Sequence, residues 1–164
     1  MKTTVLVVED EQDTAELLKC VLEREGFLVV SAKDGRQATT LIETIRPPSL
    51  IVLDMVIPYV SGFELLRVIR RHPDWQTIPV IMLSADHYEP DIQQALREGA
   101  TTYLVKQSGL HNLIQAIAQV LPPPVPAAPA LDQAVIKPAT PAARNGRASV
   151  RHRRRNGQGK GKAA

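Results

Sequence analysis

Five side chains capable of polar chemistry stand at the ends of apolar runs. Glu9 and Asp10 follow Val5-Leu6-Val7-Val8, Asp54 follows Leu50-Ile51-Val52-Leu53, Ser84 follows Val80-Ile81-Met82-Leu83, and Lys106 follows Tyr103-Leu104-Val105. Three carboxylates brought together repel one another unless a cation sits among them. An all-oxygen set of this kind suits a hard divalent ion, and Mg2+ ordinarily takes one or two carboxylates with waters and a phosphate. Lys106 offers a point positive charge for a phosphoryl oxygen, and Ser84 offers a hydroxyl donor. A carboxylate at a strand end, beside a metal and a lysine, can act as a nucleophile toward a phosphoryl group and form an aspartyl-phosphate. Charge neutralisation is then the expected catalytic device. The four histidines, His72, His87, His111 and His152, are scattered without metal-ligand spacing, and Cys20 is the only cysteine, so neither type is assigned a role.

These residues meet only if the runs before them are neighbouring strands of one sheet. An unbroken apolar run closed by a turn signal suits a strand buried on both faces of a parallel sheet, and open α/β sheets place their sites at the carboxyl ends of such strands. Strands are expected over residues 5–8, 28–32, 50–53, 79–83 and 102–105. Between them lie helical stripes. The first runs from Thr14 to Arg24 with Leu18, Val21 and Leu22 on one face, and an acidic loop whose last residues, Asp13 among them, cap it. The second carries Ala38, Leu41, Ile42 and Ile45 at helical spacing. The third carries Phe63, Leu66 and Ile69, with Arg67, Arg70 and Arg71 on its outer face. The fourth is lined by Ile92, Ala95 and Leu96, and the fifth by Leu110, Leu113, Ile114, Ile117 and Leu121. Five alternations of strand and helix predict an α/β fold, a flavodoxin-like doubly wound five-stranded parallel sheet.

The chain has 164 residues, enough for one ordinary domain and a tail, and the charge separates them. Residues 1–121 hold 11 Lys and Arg against 16 Asp and Glu, a net of −5; residues 122–164 hold 9 against one, a net of +8. The overall +3 therefore describes neither part. The expected organisation is a domain over 1–121, a Pro/Ala-rich linker over 122–143, and a disordered basic tail over 144–164 containing Arg151-His152-Arg153-Arg154-Arg155. The Arg cluster suits non-specific contact with nucleic-acid phosphates, although the tail has no aromatics on which bases could stack. No signal-like segment opens the chain and no apolar stretch approaches the roughly 20 residues of a membrane span. A cytoplasmic protein is the expectation.

The motifs Val-Leu-Val-Val-Glu9-Asp10-Glu11, Ile-Val-Leu-Asp54-Met-Val-Ile-Pro58-Tyr-Val-Ser-Gly62, Val-Ile-Met-Leu-Ser84-Ala85 and Gly99-Ala-Thr-Thr-Tyr103-Leu-Val-Lys106 occur in this order. Together they make residues 4–121 resemble a bacterial response-regulator receiver domain of two-component signal transduction. The resemblance implies that Asp54 is the phosphoacceptor. It implies that Glu9 and Asp10 bind Mg2+ with Asp54 and the backbone carbonyl of Val56, and that Lys106 contacts Asp54 or its phosphoryl oxygens. Ser84 and Tyr103 match the two switch positions. It further implies a sensor histidine kinase or phosphotransfer protein as donor. The output surface would be the fourth helix, fifth strand and fifth helix, meeting an unknown downstream protein.

Two departures from the family pattern matter. Gln107 stands where proline usually follows the lysine, so a trans bond and a different loop are expected, since a cis bond before a non-proline residue costs about 2.5–4 kcal/mol. Tyr59-Val60-Ser61 replaces the usual small or acidic residues after Pro58, which alters access to Asp54. The sequence thus leads to a stand-alone response regulator, a phosphoacceptor rather than a turnover enzyme, with no recognisable output domain after residue 121. The alternative is a receiver-like scaffold or nucleic-acid-binding protein acting through its basic tail. A phosphatase of the haloacid dehalogenase type would need a second acid two residues after the nucleophile, where Val56 stands.

Overall fold

The computed structural model describes residues 2–121. Strands β1 (Thr4–Val8), β2 (Leu28–Ala32), β3 (Leu50–Asp54), β4 (Val80–Ser84) and β5 (Thr102–Val105) alternate with helices α1 (Gln12–Arg24), α2 (Gly35–Thr44), α3 (Gly62–Arg71), α4 (Glu89–Arg97) and α5 (Leu110–Val120). All neighbouring strands pair in parallel in the order β2-β1-β3-β4-β5, the doubly wound arrangement expected. The strand order reverses between β1 and β3, which opens a crevice at their carboxyl ends. The linker, the basic tail and the nucleic-acid contact expected of it lie outside the described residues.

Side chains alternate between the two faces of each strand, and each face is sealed by its own helices. On one face Leu6, Val8, Ile51, Leu53, Val80 and Met82 pack against Ala38 and Ile42 of α2, Leu65, Leu66 and Ile69 of α3, and Ala95 of α4. On the other, Val5, Val7, Leu50, Val52, Ile81 and Leu83 pack against Leu18 and Leu22 of α1 and Leu113, Ala116 and Ile117 of α5. Burial on both faces is why β1, β3 and β4 read as continuous apolar runs.

Several local expectations change. Helix α1 begins at Gln12, two residues early, so Asp13 sits inside its first turn instead of capping it; Glu11 occupies the N-cap and its side chain makes no cap bond to the backbone. An acid in the first turn is favoured by the helix dipole in either place. Of the expected stripe on α4, Ala95 is buried and Ile92 partly buried, whereas Leu96 is 44 % exposed. Arg70 does not belong to the outer face of α3. Its Nε donates to Gly99 O at 2.8 Å and its Nη1 to Ile78 O at 2.8 Å and Gln76 O at 3.2 Å. The guanidinium thus satisfies three loop carbonyls that otherwise have to find water. Arg67 does face outward, and pairs with Glu98 at 2.6 Å.

Candidate functional site

The period of two continues past the strand ends and sorts the polar residues. Glu9 extends the row Val5, Val7; Asp54 extends Leu50, Val52; Lys106 extends Leu104. All three belong to the α1/α5 face, and at the carboxyl edge they meet. Lys106 Nζ lies 2.7 Å from Asp54 Oδ2 and 2.8 Å from Glu9 Oε2. Ser84 extends the opposite row, Val80 and Met82, and Tyr103 lies on that side, packed against the same core.

Asp54 is the last residue of β3 and only 4 % exposed. Its second oxygen, Oδ1, accepts the backbone N–H of Val56 at 3.0 Å, so both carboxylate oxygens are held by donors. Glu9 is 2 % exposed; its Oε1 accepts the Glu11 N–H at 3.2 Å. Its Oε2 meets Lys106 as a charge contact outside hydrogen-bond geometry, and accepts no hydrogen bond among the described residues. Burial pushes the Glu9 carboxyl above its usual range, and the neighbouring Asp54 charge adds to this; Lys106 and the Glu11 amide oppose it. For Lys106, burial disfavours the ammonium, but its hydrogen bond to Asp54 and its charge contact with Glu9 together outweigh burial and hold the group above its usual value.

Glu9, Asp10 and Asp54 each bring one carboxylate oxygen within 4.8 Å of the others. Asp10 is exposed while the other two are buried, so the cluster opens toward solvent at Asp10. Three hard oxygen donors, two of them from the buried carboxylates of Glu9 and Asp54, fit a divalent cation of the Mg2+ type.

The expected residues therefore fall into two groups. Glu9, Asp10, Asp54 and Lys106 come together directly. Ser84 is 1 % exposed, and its Oγ accepts the Asp86 N–H at 3.3 Å. It follows Leu83, the register partner of Asp54. Tyr103 is half-buried with its hydroxyl 3.5 Å from Asp86 O; burial pushes its phenol up, Asp91 and Asp86 add to this, and the Ser84 hydroxyl beside it opposes. Val56 is 70 % exposed and touches the site through its backbone N–H.

Replacing proline by Gln107 does not cost Lys106 its reach. No peptide bond among the described residues is cis, and residues Lys106–Ser108 form a 3-10 turn. Ser108 Oγ donates to Val105 O at 2.6 Å, and Asn112 Nδ2 donates to Ser108 O at 2.8 Å, so polar side chains fix the turn.

Two supports of the site take their physical reason only from the structure. A Cβ on Gly62 would sit 2.5 Å from Asp54 O and 2.7 Å from Met55 Cα, so only glycine lets α3 start against the end of β3. Ser61 and Glu64 form a capping box there, which fixes that start. Gly35 and Arg36, at the start of α2, contact the same loop; the Asp34-Gly35 pair reads in the sequence as a turn, but Asp34 caps α2 and Gly35 is its first residue.

Comparison with known proteins agrees with this geometry. The family model described as response regulator receiver domain matches residues 5–118. The chain is 40 % identical over 115 residues to the "Uncharacterized 14.6 kDa protein in sodA1 3'region" of Leptolyngbya boryana, covering 70 % of this chain and 87 % of that protein. It spans about half the length of the curated transcriptional regulators it also matches, at 38 % and 36 % identity. Among solved structures, chemotaxis protein CheY4 of Vibrio cholerae superposes with a TM-score of 0.69 at 27 % identity, covering 74 % of this chain and all of that one. The Mn(2+)-bound form of response regulator Rcp1 superposes at 0.63 with 28 % identity, covering 72 % of this chain and 91 % of that one. With four motifs, strand order and acid–lysine cluster all in agreement, the chain belongs to the response regulator receiver domain family of two-component systems.

Proposed function

We propose that Asp54 accepts a phosphoryl group from a phosphohistidine on a sensor kinase or phosphotransfer protein, in a reaction that depends on Mg2+. The observation that carries this reading is the Asp54 carboxylate itself: buried at the crevice, bound by Lys106 at 2.7 Å, and within 4.8 Å of two further carboxylates. An Asp54 oxygen attacks phosphorus, the P–N bond breaks, and the imidazole leaves with that bond's electron pair. The Lys106 ammonium, already oriented by Glu9, follows the transferred charge from the carboxylate to the phosphoryl oxygens. The Val56 N–H keeps the carboxylate from rotating away. Glu9, Asp10, Asp54 and the Val56 carbonyl would hold the cation, which when bound supplies positive charge against the phosphoryl oxygens. That the structural relative Rcp1 is described in an Mn(2+)-bound form supports a divalent ion as the metal of this reading.

The acceptor is the protein's own side chain, so each chain carries at most one phosphoryl group on Asp54 until water removes it as phosphate. In this reading the Ser84 hydroxyl moves to the phosphoryl group, and Tyr103, on the same side of the sheet, responds by changing rotamer. The surface of α4, β5 and α5 then changes its affinity for a downstream protein. Incubation with a small phosphodonor, read by intact mass, tests the reading. Wild-type protein should gain one phosphoryl group only with Mg2+, and Asp54→Ala should gain none. Uptake by Asp54→Ala, or uptake indifferent to chelation, would overturn it.

A further inference from the structure

The backbone among the described residues is left-handed at one non-glycine position, Tyr59, with φ +70°. The Val60 N–H donates to Pro58 O at 2.9 Å across it, which makes a three-residue γ-turn of the rare, strained hand. A side chain in this conformation persists only where its surroundings over-determine it. Here the surroundings are the start of α2. The Gly35 N–H donates to the same Pro58 O at 3.2 Å, and the Arg36 guanidinium carbon lies 4.1 Å from the centre of the Tyr59 ring. Val60 is packed so closely on Gly35 that a Cβ there would come within 2.4 Å of Val60 Cβ.

The composition of this helix start makes sense only through the loop. A glycine at the first helical position and an arginine at the second both weaken a helix, the one by backbone entropy and the other by opposing the dipole. Asp34 supplies the cap, accepting the Gln37 N–H at 2.8 Å. Gly35 and Arg36 are instead turned to the Pro58–Val60 turn. At its other end the loop closes on the strand, with the Gly62 N–H donating to Met55 O at 3.0 Å. Between these two anchors lies Val56, whose N–H holds Asp54 Oδ1.

We propose that Arg36 is a positioning residue for the chemistry at Asp54: by stacking over Tyr59 it holds the strained turn, and the turn holds the Val56 amide against the carboxylate. This rests on the reading of Asp54 as phosphoacceptor. Arg36 touches no reacting atom and acts through Tyr59 and the loop. Its contribution is therefore conditional on the strain at position 59. Glycine adopts φ +70° without steric cost, so a Tyr59→Gly chain no longer needs the clasp.

Two readouts on the full chain test this. The first is the rate of Asp54 phosphorylation by a small phosphodonor at fixed Mg2+. The second is hydrogen exchange of the Val56 amide in protein without metal or donor. Arg36→Ala should slow phosphorylation and speed Val56 exchange by about two- to fivefold, the range set by an exposed cation–π contact. In the Tyr59→Gly background the same Arg36→Ala change should alter neither. An Arg36→Ala protein equal to wild type in both, or a penalty that persists undiminished in the Tyr59→Gly background, overturns the inference. Wild-type protein that takes up no phosphoryl group overturns the reading of Asp54 instead, and Val56 exchange then still decides whether Arg36 orders the loop.

Discussion

Lys106 Nζ stands 2.7 Å from Asp54 Oδ2 although 52 residues separate them in the chain. The same ammonium stands 2.8 Å from Glu9, so one cation serves two buried carboxylates at the carboxyl ends of two strands, β1 and β3. In the absence of metal, Lys106→Met leaves both acids uncompensated. The expected loss is about 2 kcal/mol, less than a fully buried pair because Lys106 keeps 25 % of its side-chain surface exposed. Urea unfolding in chelator measures it. Because the ammonium competes for the same oxygens, Lys106→Met should also bind Mg2+ more tightly in titration calorimetry. An unchanged affinity would show that the lysine and the cation do not share those oxygens.

Glu9 gives a stability that depends on pH with a defined sign. Its carboxyl is raised above its ordinary 4.5 mainly by burial, so the folded state binds its proton more tightly than the unfolded chain. That contribution is fully present below 4.5 and is lost as pH rises through the raised folded value. In chelator, Glu9→Gln should therefore have a higher Tm than wild type at neutral pH, and the gap should close on acidification toward 4.5. A gap independent of pH would place the effect elsewhere. The same substitution should weaken Mg2+ binding.

Gly62 is a steric requirement of the site. Alanine there drives a methyl into Asp54 O and Met55 Cα at 2.5 and 2.7 Å, both backbone atoms that cannot swing aside. Gly62→Ala should cost about 1–3 kcal/mol, the usual price of overpacking, and should slow phosphorylation by shifting the end of β3. A variant with wild-type urea midpoint and wild-type rate would contradict the close approach.

Two adjacent arginines of α3 should behave differently. Arg70→Ala removes three bonds to backbone carbonyls and should cost about 1.5–3 kcal/mol. Arg71 is exposed, and Arg71→Ala should stay within about 0.5 kcal/mol of wild type. Thermal unfolding of the two variants side by side distinguishes them; equal effects would mean that the Arg70 bonds are replaced by water at no cost.

The sequence by itself determined the sheet and the membership of its rim. Buried parallel strands announce themselves as apolar runs, and a residue that ends such a run must emerge at the carboxyl edge, which located Glu9, Asp10, Asp54, Ser84 and Lys106 before any coordinates. The family pattern then supplied their expected roles. Tertiary structure decided what depends on distance between segments far apart in the chain. It joined Lys106 to both Glu9 and Asp54 despite the missing proline, because Ser108 and Asn112 shape the turn by other bonds. It drew Arg70 inward, since helical periodicity gives a face but says nothing of which loop carbonyls lie beside it. It turned Leu96 of α4 outward and left Ala95 as that helix's one fully buried residue, because the stripe is set by how the helix sits on the sheet. It turned Gly35 and Arg36 from a poor helix start into a clasp on Tyr59, since strain at one residue is balanced by contacts that only the packed loop and helix bring together.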